Sequence, residues 1–260
     1  MAFSLDQFRL DGQTAIVTGV GARGNSIGRA FAHGLAAAGA NVVVASRSDA
    51  TVAVVEEIVA TGGRALPAKV DITDPDSVRA MVAKAVSEFG GLDIIVNNAA
   101  LMAELDFKPA IATSIEDWNR IMAVNVTGAL NCAQAAAPQM RQRGGGRIVN
   151  ILSSGAFPAA SVYGVSKLAL LGLTTTLAKE LGRDGIAVNA IAPGMTASEA
   201  GLALTPPDSP YVKIAEAKAA LRAFGEPDEL VGALLLLCSA AGRWMTGQVL
   251  NVDGGIVLRP

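Results

Sequence analysis

The chain has 260 residues, a net charge of −2, 51% apolar residues and only 17% charged ones. That balance excludes a disordered, solvating chain and leaves no basic footprint for nucleic acid or an anionic lipid surface. A chain of this length buries roughly 70–75% of its unfolded surface, so one α/β domain spanning residues 1–260 is the expectation.

Met1–Leu10 carries Asp6 and Arg9 and no apolar stretch of signal length. Short apolar runs then alternate with helical patterns. Thr14–Val17, Val42–Ala45, Ala65–Val70, Ile94–Val96, Arg147–Ile151, Ala187–Ile191 and Gln248–Val252 read as strands buried on both faces, rich in Val and Ile and lacking internal alternation. Between them, Ile27, Ala30, Phe31, Gly34, Leu35 and Ala38 form one helical stripe. Asp49–Ala60, Pro75–Phe89, Ser114–Ala137, Val162–Leu181 and Asp228–Ser239 are further helices, with Asp74-Pro75 and Glu226-Pro227 as starts. Glycines at 62–63, 90–91 and 144–146 each precede a strand, as helix ends followed by turns do. Strand–helix alternation predicts a parallel sheet with helices on both faces. Met195–Pro210, with three prolines in its second half, breaks the rhythm before a helical pattern at Tyr211–Arg222. No segment is long and apolar enough to span a bilayer, so a soluble, cytoplasmic protein with no membrane partner is expected.

Cys132 and Cys238 lie far apart with no CxxC, and read as small buried residues in a reducing compartment. His33 is the one histidine, which excludes a multi-His metal site, and no metal is expected; its place in a helical stripe suggests packing. Trp118 and Trp244 read as packing residues or interface anchors. Arg141, Arg143 and Arg147 read as a solvated, positively charged helix end rather than a dock for an acidic carrier protein.

Two motifs carry chemistry. The first strand runs through Thr18 into Gly19, Gly21, Gly24 and Ser26-Ile27-Gly28, then a helix. Such a loop lets the backbone approach a pyrophosphate at a helix N-terminus. The second is Tyr163 with Lys167, four apart and so on one helical face. An ammonium beside a phenol favours phenolate. A free phenol titrates near 10, so reaching neutrality corresponds to roughly 4 kcal/mol, and the result would be a general acid/base of useful strength.

Taken together, the glycine-rich loop at 18–28, Asp71 in VDITD, NNAA at 97–100, Asn125 in VNV, IVNILSS at 148–154, Tyr163 with Lys167, NAIAPG at 189–194 and GQVLNVDGG at 247–255 resemble the short-chain dehydrogenase/reductase family over nearly the whole chain. Within it, the chain resembles the 3-oxoacyl-carrier-protein-reductase branch. The resemblance implies a doubly wound Rossmann-type domain with seven parallel strands in the order 3-2-1-4-5-6-7, ligands at the carboxyl rim, and hydride transfer between a nicotinamide cofactor and a carbonyl or carbinol carbon. It implies a catalytic set of Asn125, Ser153, Tyr163 and Lys167. Tyr163 passes the proton, Lys167 lowers its pKa and bonds the cofactor ribose, the serine bonds the reacting oxygen, and Asn125 holds a relay water. Ser153 takes the serine's place in an ungapped alignment, with Ser154 as its competitor.

Cofactor contacts are implied at Gly19, Gly21, Arg23, Ser26, Ile27, Ser46, Arg47, Asp71, Ile72, Asn98, Ala99, Ala100, Tyr163, Lys167, Pro193, Gly194 and Thr196. NADP(H) is favoured over NAD(H): the second strand ends in Ala45 and Ser46, neither acidic, and Arg47 can pair with a 2′-phosphate. Phe157, Met195, Leu202 and Tyr211 are expected to contact substrate, and a hydrophobic carbonyl compound follows from the apolar residues there. A 3-oxoacyl thioester is the alternative substrate, and a nucleotide-sensing regulator without catalysis the alternative function. Residues 195–224 suit a lid over the substrate. Six residues separate Gly19 from Ser26, a longer loop than the family's usual one. A long loop also resembles the enoyl-thioester reductase branch, but that branch's lysine position is Leu170 here. A homotetramer is implied, with apolar Leu168, Leu170, Leu171, Leu173 and Leu177 spread around the Tyr–Lys helix.

Overall fold

The computed structural model describes residues 4–21, 25–49, 51–102, 109–206 and 208–258, apart from the Tyr211 side chain. Seven strands form a parallel sheet: β1 (Thr14–Thr18), β2 (Asn41–Ser46), β3 (Arg64–Lys69), β4 (Ile94–Asn97), β5 (Gly146–Ile151), β6 (Ile186–Pro193) and β7 (Val249–Val252). Their order is β3-β2-β1-β4-β5-β6-β7, as the resemblance implies. Thr14–Thr18 lies beside Asn41–Ala45 on one flank, and Ala15–Val17 beside Ile94–Val96 on the other. The chain therefore reverses its winding between β1 and β4, which opens a crevice beyond their carboxyl ends.

Successive strand residues feed two cores. Ile16, Val43, Ile95 and Ile148 meet α3 (Pro75–Phe89), α5 (Gly128–Gln142) and α6 (Val162–Leu181) on one face. Val17, Val44, Val96 and Ile151 meet α1 (Ile27–Ala37), α2 (Thr51–Ala60) and α9 (Val231–Cys238) on the other. Burial on both sides explains why these strands carry no alternation. β3 departs from that expectation: it is an edge strand, mostly half-exposed, and its position tolerates Pro67.

The helix expected at 114–137 is longer and interrupted. α4 (Ile115–Met122) passes through a π-helical turn at Ala123–Thr127 into α5, which continues past Pro138 to Gln142 because its buried face runs on to Met140. The last helical pattern begins with a 3-10 turn at Pro227–Leu230, where Glu229 accepts the Glu226 N–H at 2.7 Å. Residues 195–225 leave and rejoin the body side by side, since Met195–Thr196 pairs in parallel with Phe224–Gly225. They carry α7 (Glu199–Leu204) and α8 (Pro210–Lys218), and α8 stops short of Arg222. Among the described residues, no helix is long and apolar enough to cross a membrane.

Candidate active site

The crevice at the carboxyl rim opens into a cavity of about 890 Å3. Its floor is fixed by the end of β1. Thr18 Oγ1 accepts the N–H groups of Asn98 and Ala99, each at 3.2 Å. Asn98 Nδ2 donates to Thr18 O at 2.9 Å and Gly19 O at 3.1 Å. Gly19 adopts φ +71°, and a Cβ there would collide with the Ala99 backbone, so the β1 and β4 turns can close together only through a glycine. Ser26 caps α1 by accepting the Arg29 N–H at 3.2 Å. A Cβ at Gly21 would meet no atom within 4 Å, so this part of the loop offers bare backbone to the cavity. Backbone N–H groups, a helix N-terminus and open space beside them suit a pyrophosphate.

Gly19, Gly21, Ser26, Ile27, Ser46, Arg47, Asp71, Ile72, Asn98, Ala99, Ala100, Pro193, Gly194 and Thr196 all line this cavity, with Ser153, Tyr163, Lys167 and Met195. Arg23 and the Tyr211 side chain lie outside the described residues. Asp71 is drawn below the usual carboxylate range, chiefly by the Thr73 hydroxyl and N–H that it accepts, with a smaller effect from Arg47.

Ser153, Tyr163 and Lys167 meet at the cavity wall. Ser153 caps the 3-10 turn Ser154–Ala156, accepting the Gly155 N–H at 3.1 Å, and its hydroxyl bonds the Tyr163 phenol. The connection from Ser153 to α6 is short, and Ala159 is pressed into φ +45°. Gly164 accommodates it, because a Cβ there would lie 2.7 Å from Gly155 O. Ser161 caps α6 by accepting the Gly164 N–H at 3.1 Å. Lys167 is 1% exposed, and its Nζ donates to Ile151 O at 2.7 Å. Nζ lies 5.6 Å from the centre of the Tyr163 ring.

Burial pulls the Lys167 ammonium down to about 7. Tyr163 is shifted upward by burial, opposed by its bond to Ser153. Desolvation thus acts against the charged form of each.

Asn125 lies behind the wall in the π-helical turn. Its Oδ1 accepts the Leu101 N–H at 2.7 Å; its Nδ2 donates to Leu101 O at 3.2 Å and Ser166 Oγ at 3.0 Å. It ties the turn after β4 to α6, and is not itself among the lining residues.

Two expected substrate contacts are displaced. Phe157 packs against the cluster of Leu152 and Leu170, and Leu202 faces outward from α7; neither lines the cavity. Leu204, Thr205 and Ser198 line it instead, because the register of α7 turns those positions inward. Ser198 accepts the Gly201 N–H at 3.1 Å, a helix-start signal legible in the sequence as Ser-Glu-Ala-Gly. Arg120 also lines the cavity, and nothing in the α4 pattern marks it out.

Elsewhere, both cysteines are buried and pushed up to about 12. His33 lies 3.0 Å from Glu57. Arg141 and Arg143 pair with Asp184 and Asp93. Trp118 packs beside Leu101, whereas Trp244 is 98% exposed.

Comparison with known proteins agrees with this geometry. A family model described as enoyl-(acyl carrier protein) reductase matches residues 21–257. An uncharacterized oxidoreductase of Mycobacterium tuberculosis is 43% identical over 250 residues, 96% of this chain and 99% of that protein. The gluconate 5-dehydrogenase of Burkholderia cenocepacia, solved with NADP and tartrate, is 36% identical with a TM-score of 0.89, covering 97% of this chain and 98% of its own. A 7α-hydroxysteroid dehydrogenase solved with NADH and 7-oxo glycochenodeoxycholic acid is 36% identical, also with a TM-score of 0.89, covering 98% of each. The chain belongs to the short-chain dehydrogenase/reductase family and is an NAD(P)-dependent oxidoreductase.

Proposed function

We propose that the enzyme interconverts an uncharged, hydrophobic ketone and its secondary alcohol, with NADP(H) preferred. The observation that carries this reading is the meeting of Ser153, Tyr163 and Lys167 beside a stretch of wall, residues 195–205, that brings no ionisable side chain to the cavity. The lining residues from 195–205 are Met195, Thr196, Ser198, Ala200, Gly201, Leu204 and Thr205, none of them ionisable. Leu101 and Met102 add apolar surface.

When bound, the nicotinamide cofactor supplies or accepts the hydride. Gly19, Gly21, Ser26 and Ile27 hold its pyrophosphate, Asp71 and Ile72 its adenine end, and Pro193, Gly194 and Thr196 its carboxamide. Ser153 donates to the reacting oxygen, and Tyr163 gives or takes its proton. Lys167 orients the nicotinamide ribose. Asn125, its side chain fully engaged, fixes the turn from which the proton path leads away.

The preference for NADP(H) rests on Ala45, Ser46 and Arg47 at the end of β2. The two solved neighbours were obtained with different cofactors, one with NADP and one with NADH. The reading also takes the chain as one domain with residues 195–224 as a lid, working in the cytoplasm as a homotetramer. A panel of cyclic and acyclic ketones, secondary alcohols and 3-oxoacyl thioesters, assayed with both cofactors, tests it. The expected result is the largest kcat/KM with an uncharged ketone or alcohol and NADP(H). Preferred turnover of thioesters would reassign the substrate, and no turnover with bound cofactor would leave the non-catalytic reading.

A further inference from the structure

The lengthened glycine-rich loop has a structural use that cofactor binding does not explain. Its last residue before the α1 cap, Asn25, bonds to both ends of the 195–225 segment. Asn25 Nδ2 donates to Ala197 O at 3.3 Å and to Glu226 Oε2 at 3.1 Å, and Asn25 O accepts the Glu199 N–H at 2.9 Å. Ala197 and Glu199 belong to the limb by which residues 195–225 leave the body, and Glu226 follows the limb by which they return. Those limbs are already joined, since Ala197 N donates to Gly225 O at 2.8 Å. Asn25 is thus bonded to both at once.

Its neighbours line the cavity. Ser26 and Ile27 line the cavity on one side of it, Ser198 and Gly201 on the other. We propose that Asn25 is a positioning residue that couples occupancy of the glycine-rich loop to the placement of the segment over the substrate. The physical argument is one of linkage. A loop held by a pyrophosphate restrains Asn25, Asn25 restrains both limbs, and by reciprocity a seated segment tightens the cofactor by the same factor. Replacing the side chain removes two of the three bonds and leaves the backbone bond, so the effect is on coupling rather than on the loop itself. The inference rests on the cavity's holding the nicotinamide cofactor.

The test uses the intact enzyme, with NADPH and NADH as probes. Cofactor affinity is read by nicotinamide fluorescence, and the segment by amide hydrogen exchange at residues 197–204. In the parent, bound cofactor should slow exchange there by at least about fivefold, the lower range of measured couplings. In Asn25→Ala, cofactor should still bind within about threefold of the parent, while the slowing falls below about twofold. Asn25→Asp should be worse than Asn25→Ala, because it sets a carboxylate against Glu226 and the Ala197 carbonyl, and adding Glu226→Gln should recover the part of the coupling that runs through position 226, by exchanging donor and acceptor there, while the bond to Ala197 O stays lost. That pair carries the test where Asn25→Ala fails to fold. Full slowing in Asn25→Ala, or no restoration in the pair, overturns the proposal. A parent that binds neither cofactor overturns the cofactor assignment itself and this inference with it.

Discussion

One helical turn separates Tyr163 from Lys167, and burial drives them in opposite directions, the phenol up and the ammonium down to about 7. A protonated phenol at Tyr163 can give its proton to a reacting oxygen. Tyr163→Phe keeps the ring and removes that proton; turnover should fall at least about 100-fold while cofactor still binds in a fluorescence titration. Lys167 makes a second, thermodynamic prediction. Its folded pKa lies below the unfolded value of 10.5, so between about 7 and that value the unfolded chain binds more protons, and stability rises with pH. Urea midpoints of the parent and of Lys167→Met, compared from pH 7 to pH 10, should show the parent gaining on the variant. The Tyr–Lys spacing was legible in the sequence, and the burial of Lys167 was not. It depends on how much water the assembled sheet and α6 exclude, and spacing says nothing of that.

Among the elements, the strands were the most legible, since continuous Val and Ile runs admit little but a sheet buried on both faces. The errors fell where local pattern and tertiary context part. The π-helical turn at Asn125 leaves no mark on hydrophobic periodicity, and α7 was hidden in a stretch read as irregular because of the prolines after it. The placement of Leu202 and Phe157 failed for the same reason, because a rim position says which residues are near a ligand and the helix register says which face it. Two predictions belong at this scale. α1 approaches the β4 turn through Gly28, where a Cβ would lie 2.7 Å from Asn98 Nδ2. Gly28→Ala should displace the Asn98 amide from Thr18 and Gly19, lowering stability by about 1–3 kcal/mol in chemical denaturation and weakening cofactor binding. At the end of β2, Ser46→Asp with Arg47→Ile adds an acceptor for ribose hydroxyls and removes a cation. The kcat/KM ratio should swing toward NAD(H), and a parent already faster with NAD(H) would refute the cofactor preference.

For the whole molecule, the apolar surface expected around α6 is narrower than the sequence suggested: of its leucines at 168, 170, 171, 173 and 177, only Leu168 is exposed. Larger apolar exposure lies near the C-terminus, at Trp244 and Leu258, beside the edge strand β7. Aromatic side chains are enriched at the centres of subunit interfaces, and Trp244 offers such a side chain almost wholly to solvent. Sedimentation at micromolar concentration should therefore find an assembly larger than a monomer, and Trp244→Glu should shift it toward smaller species.

The sheet order also bears on how the molecule is made. β1 is an early strand, yet it lies at the centre, and Thr14 donates to Asp93 across 79 residues of chain. β7 completes the far edge through Gln248 and Asn189, 59 residues apart. Few of these pairings are local, so collapse must close long loops before the rim exists. On a ribosome, the β1–β4 crevice can form while residues after β4 are still being synthesised, but β6 stays an open edge until Val249–Val252 emerge. Such an edge can pair with another chain. Aggregation during refolding should accordingly be worse for chains shortened before residue 249 than for the full chain, even where the nucleotide half is intact.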